Sequence, residues 1–452
     1  MKFFLRIVGL AVAGTLFSVL ATVHAAEKPR LVLKPSDKIA IIGNTLADRM
    51  QHFGNFEALL YSRFPGHELV VRHLGFSGDE LTLRLRSANF GSPDDHLKSV
   101  QADVILAFFG YNESFGGEAG LAKFKHDLDE FIKHTLNEKY NGKTAPRLVL
   151  FSPIAHEDLR DRNLPDGKEN NARLALYTAA MAEVARANDV PFVDLFVPSL
   201  ELYRKAGKPL TINGVHLNES GDQQLAVVID KALFGEPGPR VRGFAQLEKL
   251  RRAVLDKNFT WFERYRTTDG YSIFGGRADL KFVGDQTNRV VMQREMEVLD
   301  VMTANRDRRI WAIAEGSELQ IDDSNTPPFV EVITNKPGPL PGGKHVFLGG
   351  EEEIAKMNVA KGMKVNLFAS EEMFPELVDP VQMAFDTKGR LWVAAWGSYP
   401  HWKPKDEMND KLLVLEDTDG DGKADKCITF ADHLHNPTGF EFWGNGVFVA
   451  MA

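Results

Sequence analysis

Four short segments carry the residue types from which a reactive site can be built: Gly43-Asn44-Thr45-Leu46, Gly75-Phe76-Ser77-Gly78-Asp79, Gly110-Tyr111-Asn112-Glu113 and Asn213-Gly214-Val215-His216-Leu217-Asn218. The first three each follow an apolar run suited to a buried strand. Thr45 therefore stands on a strand-to-helix turn, where a hydroxyl is exposed at the carboxyl edge of a sheet. The helix N-terminus there favours negative charge developing beside it. His216 offers an imidazole that titrates near neutral pH. Taken singly, each glycine reads as a turn residue and each asparagine as a cap; four segments in this order are hard to assign to turns alone. A fifth segment, Asp417-Thr418-Asp419-Gly420-Asp421-Gly422-Lys423-Ala424-Asp425, alternates carboxylates around glycines. Asp417, Asp419, Asp421 and Asp425 match the first nine positions of a calcium loop, so Ca²⁺ is the expected ligand. The twelfth position is Ile428 rather than glutamate, so the loop is no complete EF-hand. The plainer reading is a solvated acidic turn between two strands.

The elements that must position these groups alternate strand and helix from Lys38 onward. Ile39–Ile42, Leu69–Leu74, Val104–Phe109, Leu148–Phe151 and Phe192–Leu195 predict buried parallel strands. Over Gly117–Tyr140, Leu121, Phe124, Leu128, Phe131, Ile132 and Leu136 recur at three- and four-residue steps, which predicts a helix. Ala47 to about Arg63, Asn170–Asn188 and Glu219–Leu233 predict others. Five strands with intervening helices give an α/β fold, a flavodoxin-like doubly wound parallel sheet with its ligand site at the carboxyl ends of the strands. Two more helical stretches, Phe244–Arg266 and Met292–Asn305, are expected to cap this domain. A Pro/Gly-rich linker follows, with Pro337-Gly338-Pro339-Leu340-Pro341-Gly342-Gly343 as its plainest part. Beyond it, Pro380–Ala394 is echoed by Pro437–Ala450, each a strand, a glycine turn and a second strand. Such a repeat suggests successive blades of a β-propeller. The expected organisation is a signal peptide at 1–25, an α/β domain at 38–236 and a helical extension at 237–321. The linker then occupies 322–350 and an incomplete β-propeller 351–452. So short a stretch cannot close a propeller, and the protein is expected to continue beyond Ala452.

In order and in character the four segments resemble the motif blocks of the SGNH (GDSL-type) ester hydrolases. The resemblance implies that the residue at Thr45 is the nucleophile and His216 the general base. It also implies that Gly78 supplies a backbone N–H, and Asn112 a side-chain N–H, to an oxyanion. Asn213 takes the position of the acid that orients the histidine. Two triad positions depart from the pattern: Thr45 stands where serine is usual, and Asn213 where aspartate is usual. The methyl of threonine restricts χ1 and crowds the attacking oxygen. An amide in place of the acid is expected to favour the wrong histidine tautomer, as in the serine-protease template. Asn44 also replaces the usual aspartate of the first block. Glu219 and Asp222 lie close enough in sequence to serve as substitute orienters.

The bulk properties narrow the class. The 452 residues are 44% apolar and 26% charged, enough for more than one ordinary globular core. The net charge of −8 gives a nucleic-acid partner no electrostatic support. Lys2 and Arg6 precede an apolar run from Ile7 to about Val23, followed by Val23-His24-Ala25, the pattern of a cleaved secretory signal. Export to the periplasm or cell envelope is therefore expected. The single cysteine, Cys427, permits no intramolecular disulfide and no thiolate cluster.

The C-terminal stretch resembles a second family. Phe368-Ala369-Ser370-Glu371, Pro380–Met383, Gly389–Val393 and Leu415–Asp425 are similar to the propeller start of planctomycete and verrucomicrobial envelope proteins labelled membrane-bound dehydrogenases. That resemblance implies a sugar-related oxidative role, with haem only if a further C-terminal domain carries it. The combined expectation is an exported ester hydrolase acting on ester-decorated carbohydrate, with no cofactor in the hydrolase domain. The rival expectation is a catalytically impaired domain that serves as a glycan-binding module for a propeller oxidoreductase.

Overall fold

In the computed structural model, which describes residues 31–236, 243–266, 270–281, 285–332, 338–399 and 402–451, the five predicted strands pair into one parallel sheet. They are β1 (Lys38–Gly43), β2 (Val70–His73), β3 (Val104–Phe108), β4 (Arg147–Phe151) and β5 (Phe192–Val193). The expected signal segment lies outside the described residues. The strand order is β2-β1-β3-β4-β5, so the chain reverses its winding between β1 and β3. At such a switch point the helices leave opposite faces and open a crevice at the carboxyl ends. Gly43 pairs with Phe108 and Ile41 with His73, which brings the first three segments to one edge of the sheet. Glycine is required at 43: φ is +128° and a Cβ would stand 2.0 Å from the Phe108 carbonyl oxygen.

The helices are α1 (Thr45–Met50), α2 (Asn55–Arg63), α3 (Pro93–Ser99), α4 (Gly117–Asn137), α5 (Lys168–Ala187), α6 (Phe196–Lys205) and α7 (Glu219–Phe234). Side chains alternate across the sheet. Ile39 and Ile41 join one core with residues of α2 and α7, while Ala40 and Ile42 join the other with residues of α4 and α5. The single helix expected from Ala47 to Arg63 is two. Gly54, at φ +69°, donates its N–H to the Met50 carbonyl and turns the chain into α2. The fifth strand stops two residues early. The Asp194 carboxylate accepts the N–H groups of Phe196 (2.7 Å) and Val197 (3.3 Å) and so starts α6.

Beyond residue 236 the structure differs from a cap laid on a finished domain. Leu250, Ala253 and Val254 of α8 (Phe244–Arg266) share a core with Ile39 and Leu106, and so do Ile310 and Ile313 of α10 (Asn288–Glu315). Between them lies the short α9 (Gly270–Ile273). Trp261 and Tyr265 join the core on the other face of the sheet. Polar groups reinforce the docking. Lys257 Nζ pairs with Glu57 Oε2 at 2.7 Å, at 0% and 2% side-chain exposure, and Arg72 Nη1 donates to Asp307 Oδ1 at 3.0 Å. Trp261 Nε1 donates to the His73 carbonyl and the Tyr265 hydroxyl to that of Leu74. Lys257 and Asn258 occupy the buried side of α8, which blurs its apolar stripe and hides in the sequence how deeply it sits.

The C-terminal residues, where an incomplete propeller was expected, form α11 (Gly350–Lys356) and then two antiparallel sheets. Four strands, β6 (Pro380–Phe385), β7 (Leu391–Ala395), β8 (Asp410–Glu416) and β9 (Lys426–Leu434), make a meander. The second sheet is the hairpin β10 (Pro437–Trp443) with β11 (Gly446–Met451). Both halves of the repeat are hairpins, and Gln382 Nε2 of the first donates to the Phe440 carbonyl of the second. Among the described residues no helix is long and apolar enough to cross a membrane.

Candidate active site

Thr45 is the first residue of α1, whose cap is Asn44. The Asn44 side-chain oxygen accepts the Leu46 N–H at 3.2 Å, while its own N–H bonds the Phe108 carbonyl at 3.0 Å. The amide thus performs the cap that a carboxylate would. A cavity of about 290 Å³ opens beside this turn, and its wall includes Thr45, Asn112 and His216. Leu46, Met50 and Ile154 make much of the rest apolar. Gly78 is not on the wall. It stands beside it, its carbonyl accepting Asn112 Nδ2 at 3.0 Å, with φ of +85° in a turn closed by the Asp79 N–H on the Phe76 carbonyl. Among the described residues the N–H groups of Thr45 and Gly78 have no hydrogen-bond partner.

His216 is oriented by Asn213, which corrects the tautomer expectation. Asn213 Oδ1 accepts the backbone N–H groups of Val215 (3.2 Å) and His216 (3.0 Å). Only an oxygen can receive two N–H donors, so the amide cannot flip. The same oxygen lies 3.0 Å from His216 Nδ1, which must therefore carry a proton. Nε2 is left with its lone pair. Burial pulls the His216 imidazole below its ordinary value, and the Arg49 charge acts in the same direction. Neither substitute orienter is used. Glu219 is exposed and pairs with Arg251 at 3.3 Å, while Asp222 accepts Asn55 Nδ2 at 2.9 Å. Burial pushes the Asp222 carboxyl up to about 7 against that hydrogen bond and the Arg49 charge. No hydrogen bond joins Thr45 Oγ1 to His216 among the described residues.

Two groups that motif reading passed over hold the site together. Glu157 is buried and accepts the N–H groups of Leu210 and Thr211 and the Thr211 hydroxyl at 2.7 Å; Thr211 Oγ1 in turn accepts the Gly214 N–H at 2.9 Å. Gly214, at φ +86°, lies so close to the His156 ring that a Cβ would stand 2.4 Å from it. The histidine loop is thus built on the residues after β4. The second group is Asp48, one turn into α1, which binds the Gly78 loop through Ser77.

Residues 42–224 match the GDSL-like lipase/acylhydrolase family. This segment is a GDSL-like domain. Residues 350–452 match a domain of unknown function, DUF7133. No curated protein matches the chain. Among solved structures the chain is similar to a gut microbial diltiazem-metabolizing enzyme at 17% identity and a TM-score of 0.37, over 46% of this chain and 48% of that one. It is similar to an acetyl xylan esterase at 19% identity and a TM-score of 0.34, over 44% of this chain and 100% of that one. A catalytic mutant of an acetylxylan esterase from Geobacillus stearothermophilus shows 15% identity and a TM-score of 0.34, over 47% of this chain and 100% of that one.

Outside the GDSL-like domain, the acidic loop joins β8 to β9. Ligand atoms of Asp417, Asp419 and Asp425 lie within 4.8 Å of one another. Asp421, expected to complete the set, is not in this group, and its Oδ1 takes the Lys423 N–H at 2.8 Å. Asp417 is likewise engaged, by the N–H groups of Gly420 and Gly422.

Proposed function

We propose that the GDSL-like domain is an ester hydrolase that removes acetyl or similar acyl groups from carbohydrate. In this reading Thr45 Oγ1 attacks the ester carbonyl and His216 Nε2 takes its proton. That proton passes to the leaving alcohol, and water then hydrolyses the acyl-threonine by the same route. Gly78 N–H, Thr45 N–H and the second N–H of Asn112 face the developing oxyanion. The observation that carries the reading is the lock on Asn213 Oδ1, which presents His216 as the Nδ1–H tautomer that a base requires. The carbohydrate part is an extension of the esterase reading and is tested directly. Hydrolysis of p-nitrophenyl acetate and acetylated xylo-oligosaccharides by the full chain is expected, and inertness toward both overturns it.

Two variants refine the test. Because the tautomer is already correct, Asn213→Asp is expected to raise kcat/KM only through its charge on the imidazolium, by about tenfold or 1.4 kcal/mol. A far larger gain shows that the amide was holding the wrong tautomer. Thr45→Ser is expected to raise kcat with KM little changed, since it frees χ1 at the attacking oxygen. A fall in kcat instead ends the assignment of Thr45 as nucleophile.

The glycan-binding reading has one observation in its favour, the missing hydrogen bond between Thr45 and His216. Tight binding of xylo-oligosaccharides without turnover would establish it. For the remaining parts, the N-terminal segment supports export to the periplasm or envelope, and the repeated hairpins support a propeller beginning at 351. The loop at Asp417, Asp419 and Asp425 is proposed to bind Ca²⁺, with Mg²⁺ poorer because it demands a tighter octahedral shell. Millimolar Ca²⁺ is expected to raise the melting temperature, and Asp419→Asn to abolish the rise; no shift returns the loop to an ordinary turn.

A further inference from the structure

We infer that Arg266, at the end of α8 and outside the segment that matches the GDSL-like family, is a positioning residue for the loop that carries the Gly78 oxyanion donor. The inference rests on the esterase reading. Its starting point is Asp48, a buried carboxylate on the helix that Thr45 opens. Asp48 Oδ2 accepts the Ser77 N–H at 3.0 Å and the Ser77 hydroxyl at 2.7 Å, which ties the nucleophile helix to the residue before Gly78. Asp48 Oδ1 accepts Gln51 Nε2 at 3.0 Å and Arg266 Nη1 at 2.8 Å. Arg266 is the only cation paired with Asp48 among the described residues.

The same guanidinium holds the loop a second way. Its carbon lies 3.6 Å from the centroid of the Phe76 ring, and the Arg86 guanidinium carbon lies 3.5 Å from that centroid. Arg86 in turn grips Asp79 with both terminal nitrogens, at 2.8 and 2.7 Å. Residues 76, 77 and 79 are therefore each clamped, and Gly78 between them has its φ of +85° imposed rather than chosen. A donor that can wander costs reorganisation at the moment charge develops, whereas a fixed one does not. Cation–π contact and a charge-assisted hydrogen bond to a buried carboxylate are both stronger away from water. α8 brings Arg266 to this place because Lys257, Trp261 and Tyr265 bond in turn the carbonyls of Val71, His73 and Leu74, along β2 and the residue after it.

The test is made on the full chain. Arg266→Ala is expected to lower kcat at least tenfold with KM changed less than twofold, and added guanidinium chloride at millimolar concentration is expected to restore part of it. Arg266→Lys, which keeps a charge for Asp48 but loses the planar contact with Phe76, should fall between. Amide hydrogen exchange of a peptide spanning 75–80 is expected to speed at least tenfold in Arg266→Ala while that of β3 stays as in the parent. Unchanged exchange there, or a loss confined to KM, overturns the inference. If the parent hydrolyses no ester, the exchange measurement still decides the clamp and only the esterase reading falls. Should Arg266→Ala not fold, Phe76→Leu decides in its place, since it removes the stacked ring and leaves the Asp48 pair intact.

Discussion

His216→Ala is expected to lower kcat/KM on p-nitrophenyl acetate by about 10²- to 10⁴-fold, the usual contribution of a positioned general base. The fold should not suffer. The imidazole is half-buried, and among the described residues its ring makes one hydrogen bond, to Asn213. Thermal unfolding of the variant should therefore superimpose on that of the parent. The pH profile gives a second reading. A base must be neutral, and burial together with the Arg49 charge lowers the His216 pKa from its ordinary 6.5. Activity should rise with pH through a midpoint below 6.5 and stay level at neutrality. Arg49→Gln removes one of the two causes, so its midpoint should move upward toward 6.5. Turnover that survives His216→Ala, or a midpoint above 6.5 in the parent, ends the assignment of His216 as base.

A chain ended at Gly235 is expected not to fold, although it contains all of the family-matched segment. Such a chain exposes the core faces that Val254, Trp261, Ile310 and Ile313 cover. It also leaves Glu57 and Arg72 without Lys257 and Asp307. The point version of the test is Lys257→Met. Removing one partner of a buried pair costs about 3–5 kcal/mol because the other charge stays buried and unpaired. A loss of that size is expected to lower the melting temperature by about 10 °C. Glu57 links the effect to pH. Burial alone would push its carboxyl up, but the Lys257 charge and the hydrogen bond from His73 outweigh burial and hold it at about 2, below its ordinary 4.5. A depressed carboxylate contributes stability that is full above about 4.5 and lost as pH falls toward 2. The parent should therefore lose stability over that window, and the Lys257→Met variant should lose less there. A soluble, cooperatively melting chain ending at Gly235 would show instead that the extension is dispensable.

The turns that carry Thr45, Gly78 and Asn112 were legible in the sequence because each follows a strand. A strand that is buried on both faces reads as a plain apolar run, and the turn at its carboxyl end can be located to within a residue or two. The choice of Thr45, Gly78 and Asn112 within those turns, and of Asn213 with His216 in a loop, came from the resemblance to the ester-hydrolase motif blocks. The helices α4, α5 and α7 were legible in the sequence, and α1 with α2 as a single helix; α3 was not, nor were the break that Gly54 makes and the start of α6 at Asp194. The last two depend on one residue's backbone or carboxylate rather than on any pattern.

Other features were decided only by tertiary structure. The identity of Asn213 suggested an impaired histidine, yet two backbone N–H groups three residues away or fewer fix which of its atoms faces the ring. No composition or period reports the direction of an N–H. Glu157 lies more than fifty residues from the loop it holds, and Arg266 more than two hundred from Asp48. The helices beyond 236 were expected to cap the domain, and how far α8 joins its core was hidden because its buried side carries Lys257 and Asn258, polar residues that a facing carboxylate makes tolerable. Sequence pattern reports what a residue prefers on average, which is enough to place strands, turns and the groups that follow them. Whether a buried charge is paired, a tautomer locked or a loop clamped depends on atoms brought together from distant parts of the chain, and only the folded arrangement sets those distances.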